Sequence, residues 1–175
     1  RGVHAMRKSI ILPSACALSA VLASGCAASG DSEQPEPAFV GMPNPFIEVS
    51  DLKGAAELAG FPVSFEGACS GKSVIRVIKG SLAEIICLKG DDELYRVRKG
   101  AGTDDVSGDY NDYQRKEERK DSGGRTLTLK GNDGKSWSLA SWQDGNFSYS
   151  VSPARPIGTA ELLSLAEKLR CPQAA

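Results

Sequence analysis

SVIRVIKGSLAEIICLKGDDELYRVR, Ser73–Arg98, decides the fold class. Three short segments, SVIRVI, LAEIICL and ELYRVR, are β-branched or alternate apolar with polar side chains. KGS and KGDD turns separate them, so the stretch predicts successive strands joined by tight turns. In the third segment Tyr95 and Val97 take one face, and Leu94, Arg96 and Arg98 take the other.

The same period continues downstream. YQRKEER is extended but highly charged, as suits an edge strand. RTLTLK alternates, with Leu127 and Leu129 on one face. GNDGK then predicts a hairpin, because Asn, Asp and Gly tolerate positive φ. In SWSLASW the apolar phase slips near Leu139–Ala140, which predicts a bulge. QDGN turns into FSYSV, where Phe147, Tyr149 and Val151 share a face.

Helical spacing occurs at the two ends of this β region. Asp51 to Ala59 places Leu52, Ala55, Ala56 and Ala59 on one side, with Ser50 as the expected cap and Gly60 as the stop. Thr159 to Arg170 carries the stripe Leu162, Leu165, Ala166 and Leu169, with Thr159 as the expected cap. The prediction is an α+β domain. About seven antiparallel strands run in meander order, and an N-terminal and a C-terminal helix cover one face.

The N-terminal region predicts export. Met6-Arg7-Lys8 opens a basic segment, SIILPSACALSAVLA supplies an apolar core, and LASGC ends at Cys26. This is the anatomy of a secretory signal peptide, too short for a membrane span. Its end resembles a lipobox: Ala23, Ser24 and Gly25 are small, and Cys26 offers the thiol that accepts lipid, although the usual leucine sits one place early at Leu22. Residues 1–5 precede the first methionine and are read as upstream of the natural start. The expected organisation is 1–25 start and signal, 26–43 lipidated cysteine and tether, and 44–175 a single globular domain. Pro, Ser, Gly and acidic residues dominate the tether, AASGDSEQPEPAFVGMP, which is expected to set reach and to carry no chemistry.

Composition narrows the function classes. Without Arg1, Arg7 and Lys8, 18 basic residues face 22 acidic ones, a net charge of −4. That balance argues against a nucleic-acid partner. The sole histidine, His4, precedes the signal, so histidine-based catalysis and histidine metal sites are not expected of the mature chain. Of five cysteines, Cys16 leaves with the signal and Cys26 is the anchor. Cys87 lies in an apolar run and reads as a small buried hydrophobe. Cys69 and Cys171 flank regular elements and are the candidate disulfide, closing most of the domain.

Three motifs invite a chemical reading. EGACSGKS, Glu66 to Ser73, imitates a phosphate loop, but Glu66 stands where a glycine belongs and a strand follows in place of a helix. GTDDVSGDYNDY, Gly102 to Tyr113, offers Asp104, Asp105, Asp109, Tyr110, Asn111 and Asp112 as a surface or calcium-binding loop. It lacks the glycine of an EF-hand and has Lys116 where the closing glutamate belongs. A turn whose aspartates cap their own backbone, with tyrosines packed back on the sheet, is the competing reading. Trp137, Trp142, Phe147 and Tyr149 are either a ligand platform or core.

Long blocks of this chain resemble small secreted lipoproteins of Gram-positive anaerobes that carry a domain of unknown function. The blocks are NPFIEVSDL, VIKGSLAEIICLKGDDELYRVRKGAG, TDDVSGDYNDY, LTLKGNDGK and DGNFSYSV, spanning most of Asn44 to Leu169. A more distant likeness is to extracytoplasmic sensor domains of anti-sigma factors. The resemblance implies no catalytic residues. The chain departs from it at Cys69, Cys87 and Cys171, and in the highly charged QRKEERKDSGG. The expected protein is a lipid-anchored, extracytoplasmic binding, sensor or accessory module without cofactor, calcium apart. It sits at the cell membrane and meets a protein partner or a cell-envelope ligand. The alternative is a histidine-free, carboxylate-based glycoside hydrolase acting on the cell wall.

Overall fold

The computed structural model describes residues 43–65 and 67–169. In chain order these form β1 (Ile47–Val49), α1 (Leu52–Ala59), β2 (Ser73–Ile78), β3 (Leu82–Lys89), β4 (Asp92–Ala101), β5 (Arg115–Lys120), β6 (Thr126–Gly131), β7 (Ser136–Trp137), β8 (Leu139–Asp144), β9 (Phe147–Pro153), β10 (Ile157–Gly158) and α2 (Thr159–Lys168). The expected signal peptide, Cys26, most of the tether and Cys171 lie outside the described residues.

The α+β class holds, and every strand pair is antiparallel. Strand number and order differ from the expected meander. Eight strands form one sheet in the order β1-β2-β3-β4-β9-β8-β6-β5, and β10 pairs with β7 in a separate ribbon. Two meanders are therefore joined centrally, through β4 and β9. Four successive antiparallel pairings separate β4 from β5, so these two strands run parallel. Parallel strands need a long crossover, and residues 102–114 supply it.

Residues directly opposite in an antiparallel ladder share a face. One row crosses all eight strands as Val49, Ile75, Ile85, Val97, Val151, Ala140, Leu129 and Glu117. Apart from its edge members, it is core. The next row lies on the opposite face and reads Glu48, Arg76, Glu84, Arg98, Ser150, Ser141, Thr128 and Glu118. The alternation in the sequence has thus produced an apolar face and a second face whose central row is polar, with Val74, Ile78, Leu82 and Ile86 flanking that row on β2 and β3.

Both helices join the apolar side. Ala55 and Ala59 of α1, and Leu162 and Ala166 of α2, belong to one cluster with Val77, Val97, Leu127, Leu129 and Val151. Asp51, not Ser50, caps α1: its Oδ1 accepts from Gly54 N at 2.7 Å, and Gly60 closes the helix. Thr159 does not cap α2. Its hydroxyl accepts from Trp137 Nε1 at 2.8 Å, and Gly158 takes the cap position without a side chain. The aromatic platform does not form. Trp137, Trp142 and Tyr149 are buried in the core cluster, and Phe147 packs against it. Lys99 is buried on this same face. Its Nζ donates to Pro62 O at 2.6 Å and lies 4.2 Å from the Phe147 ring centroid.

The disulfide differs from the expected one. Cys69 pairs with Cys87, with Cα atoms 5.3 Å apart. Cys87 is indeed buried, but as a cystine half. Its strand is opposite Tyr95, whose hydroxyl donates to Ala68 O, so the chain before Cys69 is drawn onto the cysteine that lies nearer in sequence. Closing an 18-residue separation restricts the unfolded chain. Cys69→Ser combined with Cys87→Ser is expected to cost about 2–3 kcal/mol in urea unfolding. Cys171→Ser alone is expected to leave the midpoint unchanged, the opposite of what a Cys69–Cys171 bridge requires.

The β5–β6 turn is tied to α2 directly, by Ser122 N donating to Glu167 Oε1 at 2.9 Å, and through Arg125, which Asp121 holds. Asp121 Oδ1 accepts from the backbone N–H of Gly123 and Arg125, and Oδ2 accepts from Arg125 Nε at 2.7 Å. Arg125 also donates to Ala166 O near the end of α2. Burial pushes the Asp121 carboxyl up, but the bonds and charge of Arg125 and the Gly123 N–H outweigh it and hold it below the usual value. A depressed folded pKa stabilises above the unfolded value and loses that contribution as pH falls through the folded one. Stability is therefore expected to drop below about pH 4. Asp121→Asn is expected to cost about 1–2 kcal/mol at pH 7 and to flatten that acid slope, as read by urea titrations at several pH values.

Candidate functional site

The crossover lies on the polar face. From Ala101 it turns back along the sheet to enter β5 at the opposite end. Gly102 N donates to Asn146 O, and Gln143 Nε2 donates to Thr103 O at 2.9 Å. Val106 then presses on β4 at Gly100, where an added Cβ would meet Val106 Cγ1 at 2.5 Å. Arg98 Nη1 donates to Ser107 O at 2.6 Å. Gly108 has φ +60, and a Cβ there would fall 2.0 Å from Arg98 Nη1. Two glycines thus let the loop lie flat against the strand and its arginine. At its exit, Gln114 N donates to Asn132 Oδ1.

A charged cluster sits beneath and beside the loop. Glu84 is 0% exposed. Its carboxylate accepts from Arg76 Nε at 2.8 Å and from Arg98 Nε at 2.7 Å, and Arg96 Nε lies 3.4 Å away. The Arg76 guanidinium also lies 4.8 Å from the Phe46 ring centroid. Three cations around one buried acid hold Arg98 in the position from which it grips the loop.

On the other side of the loop, the crossover and the strands β5, β6, β8 and β9 enclose a cleft of about 490 Å³. Asp104 and Asp105 stand on the loop wall, and Lys116 and Lys130 on the strand wall. Thr126, Thr128, Ser141 and Gln143 also line it. Asp105 Oδ2 and Lys130 Nζ meet at 3.2 Å. Partial burial pushes the Asp105 carboxyl up. Hydrogen bonds from Ser107 and the bond and charge of Lys130 together hold it below the usual range.

No family model, curated protein or solved structure matches this chain.

The six candidate loop residues do not form one site. Asp104 and Asp105 line the cleft. Asp109, Tyr110 and Asn111 border a smaller depression of about 270 Å³ with Glu93, Arg96 and Ser152. Asp112 is exposed and lines neither. Two of the aspartates, Asp105 and Asp109, are occupied locally. Asp105 Oδ1 accepts from Ser107 N, and Asp109 Oδ1 accepts from Asn111 N and Nδ2. Asp109 Oδ2 accepts from the Tyr113 hydroxyl. Among the described residues no three His, Cys, Asp or Glu side chains converge as metal ligands. The capping reading accounts for this geometry. Its tyrosine expectation needs correction: Tyr113 is held by Asp109, but Tyr110 is 97% exposed and packs on nothing.

The sequence reading missed the opposing wall and floor. Thr126, Thr128 and Lys130 are the outward phase of RTLTLK, opposite Leu127 and Leu129. That phase was readable; its meeting with residues 103–106 was not, because it depends on the crossover. The cleft's two acidic residues are consecutive on one wall, so they do not face each other as a glycosidase pair must.

Proposed function

We propose that this chain is a membrane-tethered, extracytoplasmic binding module whose ligand or partner seats on the polar face of the sheet beneath the crossover. The observation that carries it is the cleft itself, a concave, hydroxyl-lined space between a fastened loop and a rigid sheet. Sites of this size usually bind small molecules or segments of a larger partner. Export and lipidation are supported by the anatomy of residues 6–26. On this reading Cys26 supplies the anchor.

Two experiments test the two halves. Cys26→Ala is expected to shift the protein from the membrane fraction to the soluble one; retention on the membrane sinks the anchor. For binding, a photo-reactive residue replaces Gln143 at the rim, and cells are irradiated. A discrete adduct is expected, and it is expected to disappear when Ser141→Trp fills the cleft. An adduct pattern indifferent to Ser141→Trp rejects the polar face as the binding surface.

A further inference from the structure

We propose that the cleft takes a zwitterionic ligand on the scale of a short peptide, its ammonium on Asp104 and its carboxylate on Lys116. This rests on the reading of the polar face as a binding surface. Asp104 and Lys116 both line the cleft, and neither side chain has a hydrogen-bond or ion-pair partner among the described residues. Their neighbours are already joined. Asp105 follows Asp104 on the loop and meets Lys130 at 3.2 Å, and Lys130 is directly opposite Lys116 in the β5–β6 ladder. One acid–base pair closes the gap internally; beside it a second acid and base remain open.

The electrostatics select the ligand. Like charges directly opposite in a ladder repel, and Asp105 answers only one of the two lysines. An anionic group near Lys116 relieves the rest. A polyanion is disfavoured, because the same cleft presents two carboxylates. A simple cation is disfavoured for the mirror reason. Asp104, Asp105, Lys116 and Lys130 sum to no net charge, so a ligand with one charge of each sign is the complementary one. Thr128 and Ser141, a cross-strand pair, line the same cleft. Hydroxyls donate and accept, which suits the alternating N–H and C=O groups of a peptide backbone.

The test is equilibrium dialysis of the full chain in mild detergent against labelled trialanine. Saturable binding is expected. Acetylating the amine or amidating the carboxylate is expected to weaken it by about tenfold each, the scale of a hydrogen bond to a charged group. Asp104→Asn is expected to weaken trialanine equally but to leave N-acetyl-trialanine unaffected. Lys116→Gln is expected to do the same for trialanine amide. That matching of variant to cap assigns each terminus to its wall, which a general loss of fold would not. Equal binding of the doubly capped peptide overturns the proposal, as does indifference to both variants. If inorganic phosphate or a neutral trisaccharide binds in place of trialanine and Ser141→Trp abolishes it, the zwitterion is wrong while the binding surface stands. If every probe fails, the zwitterion falls; the binding surface falls with it only when the Gln143 adduct is also indifferent to Ser141→Trp.

Discussion

Replacing Glu84 with alanine is expected to destabilise the domain by about 4 kcal/mol, the cost of removing one partner from a buried ion cluster. Glu84 is fully buried and engages Arg76 and Arg98 directly, with Arg96 close by. The arginine side chains are 26%, 11% and 31% exposed in the order Arg76, Arg98 and Arg96, so water recovers part of their solvation but little of Arg98's. Without the carboxylate, Arg76 and Arg98 lose their acid, and Arg96 keeps only its bond to Glu93 at 2.9 Å. For a domain of this size the thermal midpoint should fall by about 10–15 °C. Glu84→Gln keeps the shape and removes the charge, so it separates packing from electrostatics; it is expected to cost nearly as much. Arg98→Gln added to Glu84→Gln is expected to recover part of the loss, because the more buried uncompensated cation is then gone. A cost below about 1 kcal/mol for Glu84→Ala, the range of exposed ion pairs, would mean that the cluster is solvated.

The same substitution reaches the cleft. Arg98 spans the two structures: Nε bonds Glu84 and Nη1 bonds Ser107 O. Released from Glu84, Arg98 no longer holds the loop at a fixed height over β4. Amide exchange in residues 102–114 is expected to quicken in Glu84→Gln before global unfolding is reached. Peptide affinity is expected to fall with it, because Asp104 sits on the freed segment while Lys116 does not.

Local chemistry was legible in the sequence and long-range pairing was not. The alternation of SVIRVI, LAEIICL and ELYRVR carried β2, β3 and β4 without correction. QRKEERK was read as an edge and is one, since β5 ends the sheet. The phase slip at Leu139–Ala140 marks a strand break and not the expected bulge: Ser138 separates β7, which pairs with β10, from β8 in the main sheet, and the two residues after it are fully buried. β1 and β10 escaped because three and two residues carry no periodicity. The order escaped because an antiparallel meander and a crossed pair of meanders share one local pattern. What distinguishes them is whether β4 finds β9 or β5, a choice made by contacts about fifty residues apart. Glu84 was a visible clue: an acid inside LAEIICL needs a buried partner, and Arg76, Arg96 and Arg98 stand in the neighbouring strand segments. The candidate site was half legible. Its acidic wall lies in one contiguous stretch, whereas its basic wall and hydroxyl floor are assembled by topology.

Trp137 is the counterpart of Glu84 on the apolar side, and Trp137→Ala is expected to cost about 4 kcal/mol, in the range for deleting a buried aromatic. The residue is 0% exposed and joins three elements. It lies in β7, pairs in register with Ile157 of β10, and donates its indole N–H to Thr159 at the start of α2. α2 lacks a side-chain N-cap, so the Thr159 bond to β7 adds to the burial of Leu162 in fixing its first turn. Trp137→Phe retains most of the apolar contact and loses only that bond. It is expected to cost about 1 kcal/mol beyond the small volume change. If Phe proves as costly as Ala, the hydrogen bond and not the packing holds α2; a cost under about 1 kcal/mol for Ala would mean that the site closes over the missing ring. The exchange pattern should also invert that of Glu84. Amides of α2 and β10 are expected to open early, while residues 102–114 keep their protection, because the sheet separates Trp137 from the crossover. Ligand affinity per folded molecule is then expected to be unchanged in Trp137→Phe and reduced in Glu84→Gln. One substitution spares the cleft and the other loosens it, because Trp137 packs on the helix-covered side while Glu84 holds the arginine that fastens the crossover.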